Sequence, residues 1–388
     1  AVQGGLGKQR DQFDRRARRL AKYGVNLARL GGLKLFRDFR RDKAAFQKRL
    51  DALHAKVAAL KKQGIYTYLD HLYWHTHAKI TDQTFPGFGD GKAAIALMFF
   101  DSPLQARYRA FLKKLLTTKN PHTGKPLATE PAVAMIEIHN ESSLLFWTFK
   151  PRQFPAPERR FVERQFADWL KEKYGSLAQA RDAWGQRPRQ GNPTPDDFDA
   201  GRAGLYGIGK LTGRDWAVNQ RNQQRASDQL QFLVEAQRKF YASMRDYLRN
   251  ELGARQLVVP SNWKTADARV LDVLERDTYT AGDVVARNTY FGVDYKKGGQ
   301  QRFYEVERGD TYRGRSALKA PKLPSPLGNA QMAGYPFMIT ENNWTRPNRY
   351  RVEWPMLVAT YGRLTGVDGW TFFAKRATDW RHSLGVWD

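Results

Sequence analysis

The chain has 388 residues, 41% hydrophobic and 13% aromatic, enough to bury a sizeable core, which excludes wholesale disorder. It contains no Cys, so disulfides, thiolate metal sites and a Cys nucleophile are excluded. Its 65 Lys and Arg against 39 Asp and Glu give a formal charge of +26, which attracts polyanions such as nucleic acid, anionic lipid or acidic polysaccharide, or else marks a solvated basic face.

Helical periodicity and short apolar runs alternate along the chain, which predicts an α/β fold with a parallel sheet. Residues 1–7 are Gly-rich and lack the apolar stretch of a signal peptide, which leaves the compartment open, with secretion or the periplasm preferred. Residues 1–65 hold 18 Lys and Arg against 5 Asp and no Glu. Residues 12–22 are charged and helical, Gly24 breaks the helix, and residues 25–30 read as a strand. Residues 43–62 repeat Ala, Leu and Val at helical spacing, Gly64 ends them, and residues 65–69 form the next strand. A helix over 104–116 and a punctuated loop over 119–131 lead to a third strand at 133–138. The longest fully apolar run, residues 93–100, is far too short to span a membrane.

A long stretch, about 150–256, separates this strand from the next. It holds a helix over 161–174, a Pro/Gly-rich loop over 186–209 and a long helix near 226–252. Short apolar strands follow at 257–260, 284–286, 337–340 and 369–373. Seven strands are thus expected in one catalytic domain spanning 1–388, with 150–256 as an insertion. A closed (β/α)8 TIM barrel needs an eighth strand, before the first helix, where residues 1–10 make a poor one.

Two Glu residues stand where strands end. Glu141 follows the third strand in Ile136-Glu137-Ile138-His139-Asn140-Glu141-Ser142. Glu341 follows the sixth in Met338-Ile339-Thr340-Glu341-Asn342-Asn343-Trp344. Barrels of this kind present catalytic groups at the C-terminal ends of strands. Retaining glycoside hydrolysis needs two carboxyl groups about 5–5.5 Å apart, one to protonate the leaving oxygen and one to attack the anomeric carbon.

Over residues 11–388 the pattern resembles clan A of the glycoside hydrolases, especially family 5 and the family 42 β-galactosidase-like enzymes. The clan closes its fourth strand with Asn-Glu, the acid/base, and its seventh with the nucleophile Glu. Asn140-Glu141 and Glu341 match once the seven strands count as the second to the eighth. The resemblance therefore implies a retaining β-glycoside hydrolase with Glu141 as acid/base and Glu341 as nucleophile. Asn140 would bond the sugar 2-hydroxyl.

Arg29 matches the clan's second-strand Arg, which supports the nucleophile. Tyr290, in Arg287-Asn288-Thr289-Tyr290, matches the sixth-strand Tyr that bonds it, although family 5 has His where this chain has Asn288. Trp370 resembles the eighth-strand Trp that floors the subsite beside the cleaved bond, and Trp344 lies just beyond the nucleophile. Residues 166–185 resemble the family 42 helix after the fourth strand and are scaffold.

His71, after Tyr68-Leu69-Asp70, is close to a substrate-binding His, one residue out of register. His139 faces the site or packs behind it. His71, His75 and His77 cluster, but no acidic partner at metal-ligand spacing accompanies them, so sugar contacts are expected and no metal. No cofactor is implied. The expected partner is a carbohydrate, galactose-containing or acidic (sulfated or uronic), and the oligomeric state is open. No zinc-finger spacing or RNA-binding aromatic signature accompanies the charge, so nucleic acid is not the expected ligand. The rival reading is a catalytically inactive basic barrel that binds polyanionic glycan or nucleic acid.

Overall fold

The computed structural model describes residues 3–31, 35–70, 96–185, 194–212, 223–292, 294–296, 311–319, 328–344 and 348–373. Helix α1 (Gln3–Lys22) precedes strand β1 (Leu27–Gly31). Helices α2 (Leu35–Arg41) and α3 (Lys43–Lys61) lead to β2 (Tyr66–Asp70), and α4 (Ser102–Thr117) to β3 (Val133–Glu137). The stretch before β4 (Leu257–Val259) carries α5 (Ala156–Tyr174), α6 (Leu177–Ala183) and α7 (Gln223–Asp246), the last ending in a π-turn at Tyr247–Glu251. Helix α8 (Ala268–Tyr279) precedes β5 (Val285–Asn288). An antiparallel pair that the sequence pattern did not foreshadow, β6 (Asp294–Lys296) and β7 (Thr311–Arg313), comes next. Then follow β8 (Phe337–Asn342), the short α9 (Glu353–Leu357) and β9 (Gly369–Phe372).

Local chemistry sets these boundaries. The Asp42 side chain accepts from Ala45 N at 2.9 Å and that of Asp101 from Leu104 N at 2.7 Å, so each caps the free N–H groups that open α3 and α4. Gly24 and Gly64, at φ +73° and +71°, turn the chain out of α1 and α3 towards β1 and β2, a conformation costly for a residue with a Cβ.

Seven strands are parallel. β1-β2-β3-β4 form one ladder and β5-β8-β9 another. Backbone bonds from Asp283 N to Val258 O (2.8 Å) and Asn288 N to Asn262 O (2.7 Å) tie the two ladders together between β4 and β5. The strands therefore follow one another in chain order, as successive βα units dictate. Among the described residues no ladder joins β9 to β1, which is where an eighth strand would close the circle. No strand precedes α1 among them either. Trp370 and Phe372 on β9 are 41% and 44% exposed, and every residue of β1 is at least partly exposed.

Side-chain alternation splits the core in two. The larger part lies between strands and helices and includes Leu50, Val57, Leu112, Phe166, Leu233, Val285, Phe337 and Ile339. The smaller part fills the space that the strands enclose: Tyr68, Val259, Val284, Ala286 and Met338, with Leu27 and Met135 against them. Leu27, Tyr68, Met135, Ala286 and Met338 each lie two residues before a polar one, Arg29, Asp70, Glu137, Asn288 and Thr340, so the apolar filling floors a polar cup at the C-terminal ends. No helix among the described residues is long and apolar enough to cross a membrane.

Candidate functional site

Arg29 holds the cup together. It points inward from β1 two residues past Leu27, and its guanidinium lies over the Tyr68 ring at 5.3 Å. Its Nη1 donates to Glu341 Oε1 at 2.5 Å, and its Nη2 to Glu137 Oε2 at 3.0 Å and to Asn140 Oδ1 at 2.8 Å. Asp70 Oδ2 is 3.0 Å from the same Nη2. Burial alone would weaken this base, but the charges of Asp70, Glu137 and Glu341 more than offset that and raise its pKa further, so the guanidinium stays charged.

Three carboxylates therefore share one cation. Burial is the largest influence on both Asp70 and Glu137 and pushes both carboxyl groups up. Arg29 opposes it in each case, aided at Glu137 by the Tyr68 hydroxyl, which donates to Glu137 Oε2. At Asp70 the charges of Glu137, Glu341 and Glu141 add to the upward push, and its Oδ1 is buried with no hydrogen-bond partner among the described residues. A buried oxygen without a donor is where a proton is best kept.

Glu341 reaches the cup through an irregularity. Met338 belongs to the inner core and Ile339 to the outer, so strict alternation would send Thr340 inward and Glu341 outward. The β5–β8 register shifts between Arg287 and Asn288, so that Asn288 pairs with Glu341. Thr340 bonds Asn288 Oδ1 at 2.7 Å, and Glu341 still meets Arg29 and the Tyr290 hydroxyl, which donates to its Oε2. Burial first, then the Glu341 charge and hydrogen bond, hold the Tyr290 phenol well above its usual range, so it remains a donor.

Glu141 reaches the cup by a different device. Its φ is +48°, a left-handed conformation that costs a residue with a side chain on the order of 1–3 kcal/mol unless its surroundings impose it. They do. Its N–H donates to Asn262 Oδ1 at 3.0 Å. The next residues are anchored too: Ser143 Oγ donates to the buried Glu275 at 2.5 Å, and Leu144 N to Gln237 Oε1 at 2.7 Å. The Glu141 carboxylate accepts from Asn288 Nδ2 at 2.9 Å, and both carboxylates act on Tyr290.

Asn140 lies between them. Its Oδ1 takes Arg29, Asn262 (2.9 Å) and Asn288 (3.4 Å), which leaves the amide nitrogen as a donor for a ligand. Glu141 and Glu341 are 8% and 6% exposed.

Five of the expected residues thus meet in this network, Glu141, Glu341, Asn140, Arg29 and Tyr290, while the expected Trp370 stands apart from it. The register pairs Trp370 with Ile339, an outer-core residue, so its ring stands on the helix side of β9. The aromatic that touches the site is Phe373, whose ring lies 6.1 Å from Tyr290.

Two expectations need correction. His139 is fully buried beside Phe99 (5.6 Å) and Phe240 (6.3 Å) in the layer between strands and helices, so it offers a substrate nothing to touch. Trp344 is 2% exposed and packs on Phe291 at 4.8 Å with Ala317 and Leu357, a satellite core rather than a sugar platform. His71, with His75 and His77, lies outside the described residues.

Glu137, Tyr68, Asn262 and Asn288 were not expected. Asn288 bridges Thr340, Asn140 and Glu141. Glu137 could have been found, since it lies two residues from an inner-core position on a strand already read correctly.

No family model and no curated protein match this chain. Solved structures do. The chain is similar to an endo-β-1,4-mannanase from Thermotoga petrophila with a TM-score of 0.51 at 11% identity, over 97% of this chain and 68% of that one. It is also similar to a β-galactosidase from the psychrophilic Marinomonas ef1 (TM-score 0.47, 16% identity, 72% of this chain and 39% of that one). A β-glucosidase gives a TM-score of 0.43 at 13% identity, over 94% of this chain and 76% of that one. The mannanase alone of these three is near enough to bear on architecture, and at that identity it speaks for the fold only. With the strand order described above, the fold is of the (β/α)8 barrel type, with seven parallel strands among the described residues and no closing ladder.

Proposed function

We propose that the chain is a retaining glycoside hydrolase that cleaves β-linked glycosides of an oligo- or polysaccharide, and that residues 1–388 form one catalytic unit with 150–256 as an elaboration between β3 and β4. One observation carries the reading. Two carboxylates from distant strands, Glu141 and Glu341, open into one polar cup, and each has different donors.

In the first step a Glu341 oxygen attacks the anomeric carbon while Glu141 gives its proton to the departing oxygen, leaving a glycosyl ester on Glu341 and a free alcohol. In the second, Glu141 takes a proton from water, the hydroxide adds to the anomeric carbon, and the Glu341 carboxylate leaves. Arg29 and Tyr290 both donate to Glu341 and aim it. Asn140 Nδ2 donates to the sugar hydroxyl next to the reacting carbon. No cofactor enters either step.

The test is a panel of aryl β-glycosides with wild-type enzyme, Glu141→Ala and Glu341→Ala. Turnover should fall far more than about tenfold in both variants. Hydrolysis that survives both substitutions sinks the assignment. Tight binding to polyanions with no hydrolysis anywhere in the panel would instead favour a non-catalytic basic barrel.

A further inference from the structure

The loops beyond β3 and β4 carry aromatic rings and positive charge that the two chemical steps do not use. Residues 142–157, which start directly after Glu141, residues 203–212 and residues 261–266 contain Lys150, Arg152, Lys210 and Lys264 and not one Asp or Glu. They touch one another. Ala266 N donates to Leu145 O at 2.8 Å, Ser261 Oγ to Ser142 O at 3.2 Å, and Ile208 N to Phe149 O at 3.3 Å.

An aromatic ledge runs over them. Phe146 meets Trp263 edge-on at 5.1 Å, and the Lys264 ammonium sits 5.2 Å from the Trp263 ring and 5.8 Å from that of Phe146. Trp147 lays one side of its indole on Gly209, where a Cβ would come within 2.8 Å of the ring, yet the residue is 49% exposed. A large apolar face kept open in this way suits a ligand with a flat apolar side of its own, as a sugar ring has.

Position fixes which part of the ligand that is. Glu141 hands its proton to the departing sugar, so the departing end of the substrate lies on the Glu141 side. The ledge begins within a few residues of Glu141 and continues two residues past Asn262, which holds the Glu141 backbone. Lys264 is exposed and held beside two rings, so an anionic substituent on a sugar lying on those rings would meet its ammonium.

We infer that Phe146, Trp147, Trp263 and Lys264 form a leaving-side subsite for a sugar bearing a sulfate or carboxylate group, so that the substrate is an acidic polysaccharide. This inference rests on the hydrolase reading above and adds its substrate class.

Two matched substrate pairs test it: a sulfated galactan with its desulfated counterpart, and a glucuronoxylan with its carboxyl-reduced counterpart, each assayed with wild-type enzyme and Lys264→Ala. For one pair at least, wild-type kcat/KM should favour the charged member by about tenfold or more at low salt, and added salt should shrink that preference. Lys264→Ala should bring the ratio towards one. The pair that responds identifies sulfate or carboxylate.

Parity in both pairs, with hydrolysis that still depends on Glu141 and Glu341, overturns the subsite and leaves the hydrolase standing. Absence of hydrolysis from these glycans and from aryl β-glycosides overturns both.

Discussion

The surroundings of Glu341 and Glu141 differ in kind. Glu341 accepts from a guanidinium and a phenol, two strong donors held by burial, and it reaches them because the β5–β8 register slips by a residue. Glu141 accepts from a neutral amide, Asn288, and hangs from a left-handed backbone that Asn262, Gln237 and Glu275 keep in place. A cation and a phenol that both donate to Glu341 suit the attacking carboxylate of the proposed mechanism. A neutral amide can face a carboxyl group in either protonation state, which suits one that gives a proton and takes one back in each cycle of the proposed mechanism. Under the proposed mechanism the two carboxyl groups would take different tasks because their neighbours differ.

The strongest way to break this comparison is to vary the leaving group. Glu141→Gln should slow a substrate with a poorly acidic leaving group by about 10²–10⁴-fold, and one with a strongly acidic leaving group far less, since the latter departs without a proton. Equal losses on both would contradict the acid role.

Next in size, Arg29→Met leaves Asp70, Glu137 and Glu341 crowded without their cation. Loss of one partner from a buried ion pair typically costs about 3–5 kcal/mol, so thermal unfolding should show a large fall in Tm together with lost activity. An unchanged Tm would mean that the cup does not depend on this charge.

Tyr290→Phe removes a single donor to Glu341. A hydrogen bond to a charged group contributes about 1.5–3 kcal/mol, so kcat/KM should fall by roughly ten- to a hundredfold while Tm stays close to wild type. No change in kcat/KM would remove Tyr290 from the account.

The smallest effect concerns pH. Burial holds the Asp70 carboxyl above its ordinary range, so the folded state binds a proton that the unfolded chain releases sooner. Stability from this group is complete below the unfolded pKa and is lost as pH rises through the folded one. Urea unfolding between mildly acidic and alkaline pH should show that decline, and Asp70→Asn should flatten it. Glu137, shifted the same way, keeps part of the slope.

Much of the architecture could be read from the order of residues. Each expected strand lies within two residues of an observed one, because Gly24 and Gly64 mark the turns and the apolar runs are short and isolated. Glu141 and Glu341 were singled out by their place at strand ends, and Arg29 and Tyr290 by the resemblance; the structure gathers all four in one network. The network that links them was not legible. Glu137 meets Arg29 across 108 residues of chain and Asn262 across 125, separations that no local pattern reports. His139 and Trp344 went astray for another reason: position near a strand end does not say which side of the sheet a side chain takes once the strand stops alternating. The β6–β7 pair was missed because strands of three residues leave no measurable period.

The stereochemistry of azide capture tests the central claim most directly. With Glu341→Ala and a β-glycosyl fluoride or activated aryl β-glycoside, azide should occupy the nucleophile's place, attack once and give the α-glycosyl azide. With Glu141→Ala, the glycosyl ester still forms on Glu341, and azide should open it from the other face to give the β-glycosyl azide. Opposite configurations from the two variants are the predicted result. The same configuration from both, or no azide product from either, would contradict the division of labour between these carboxylates.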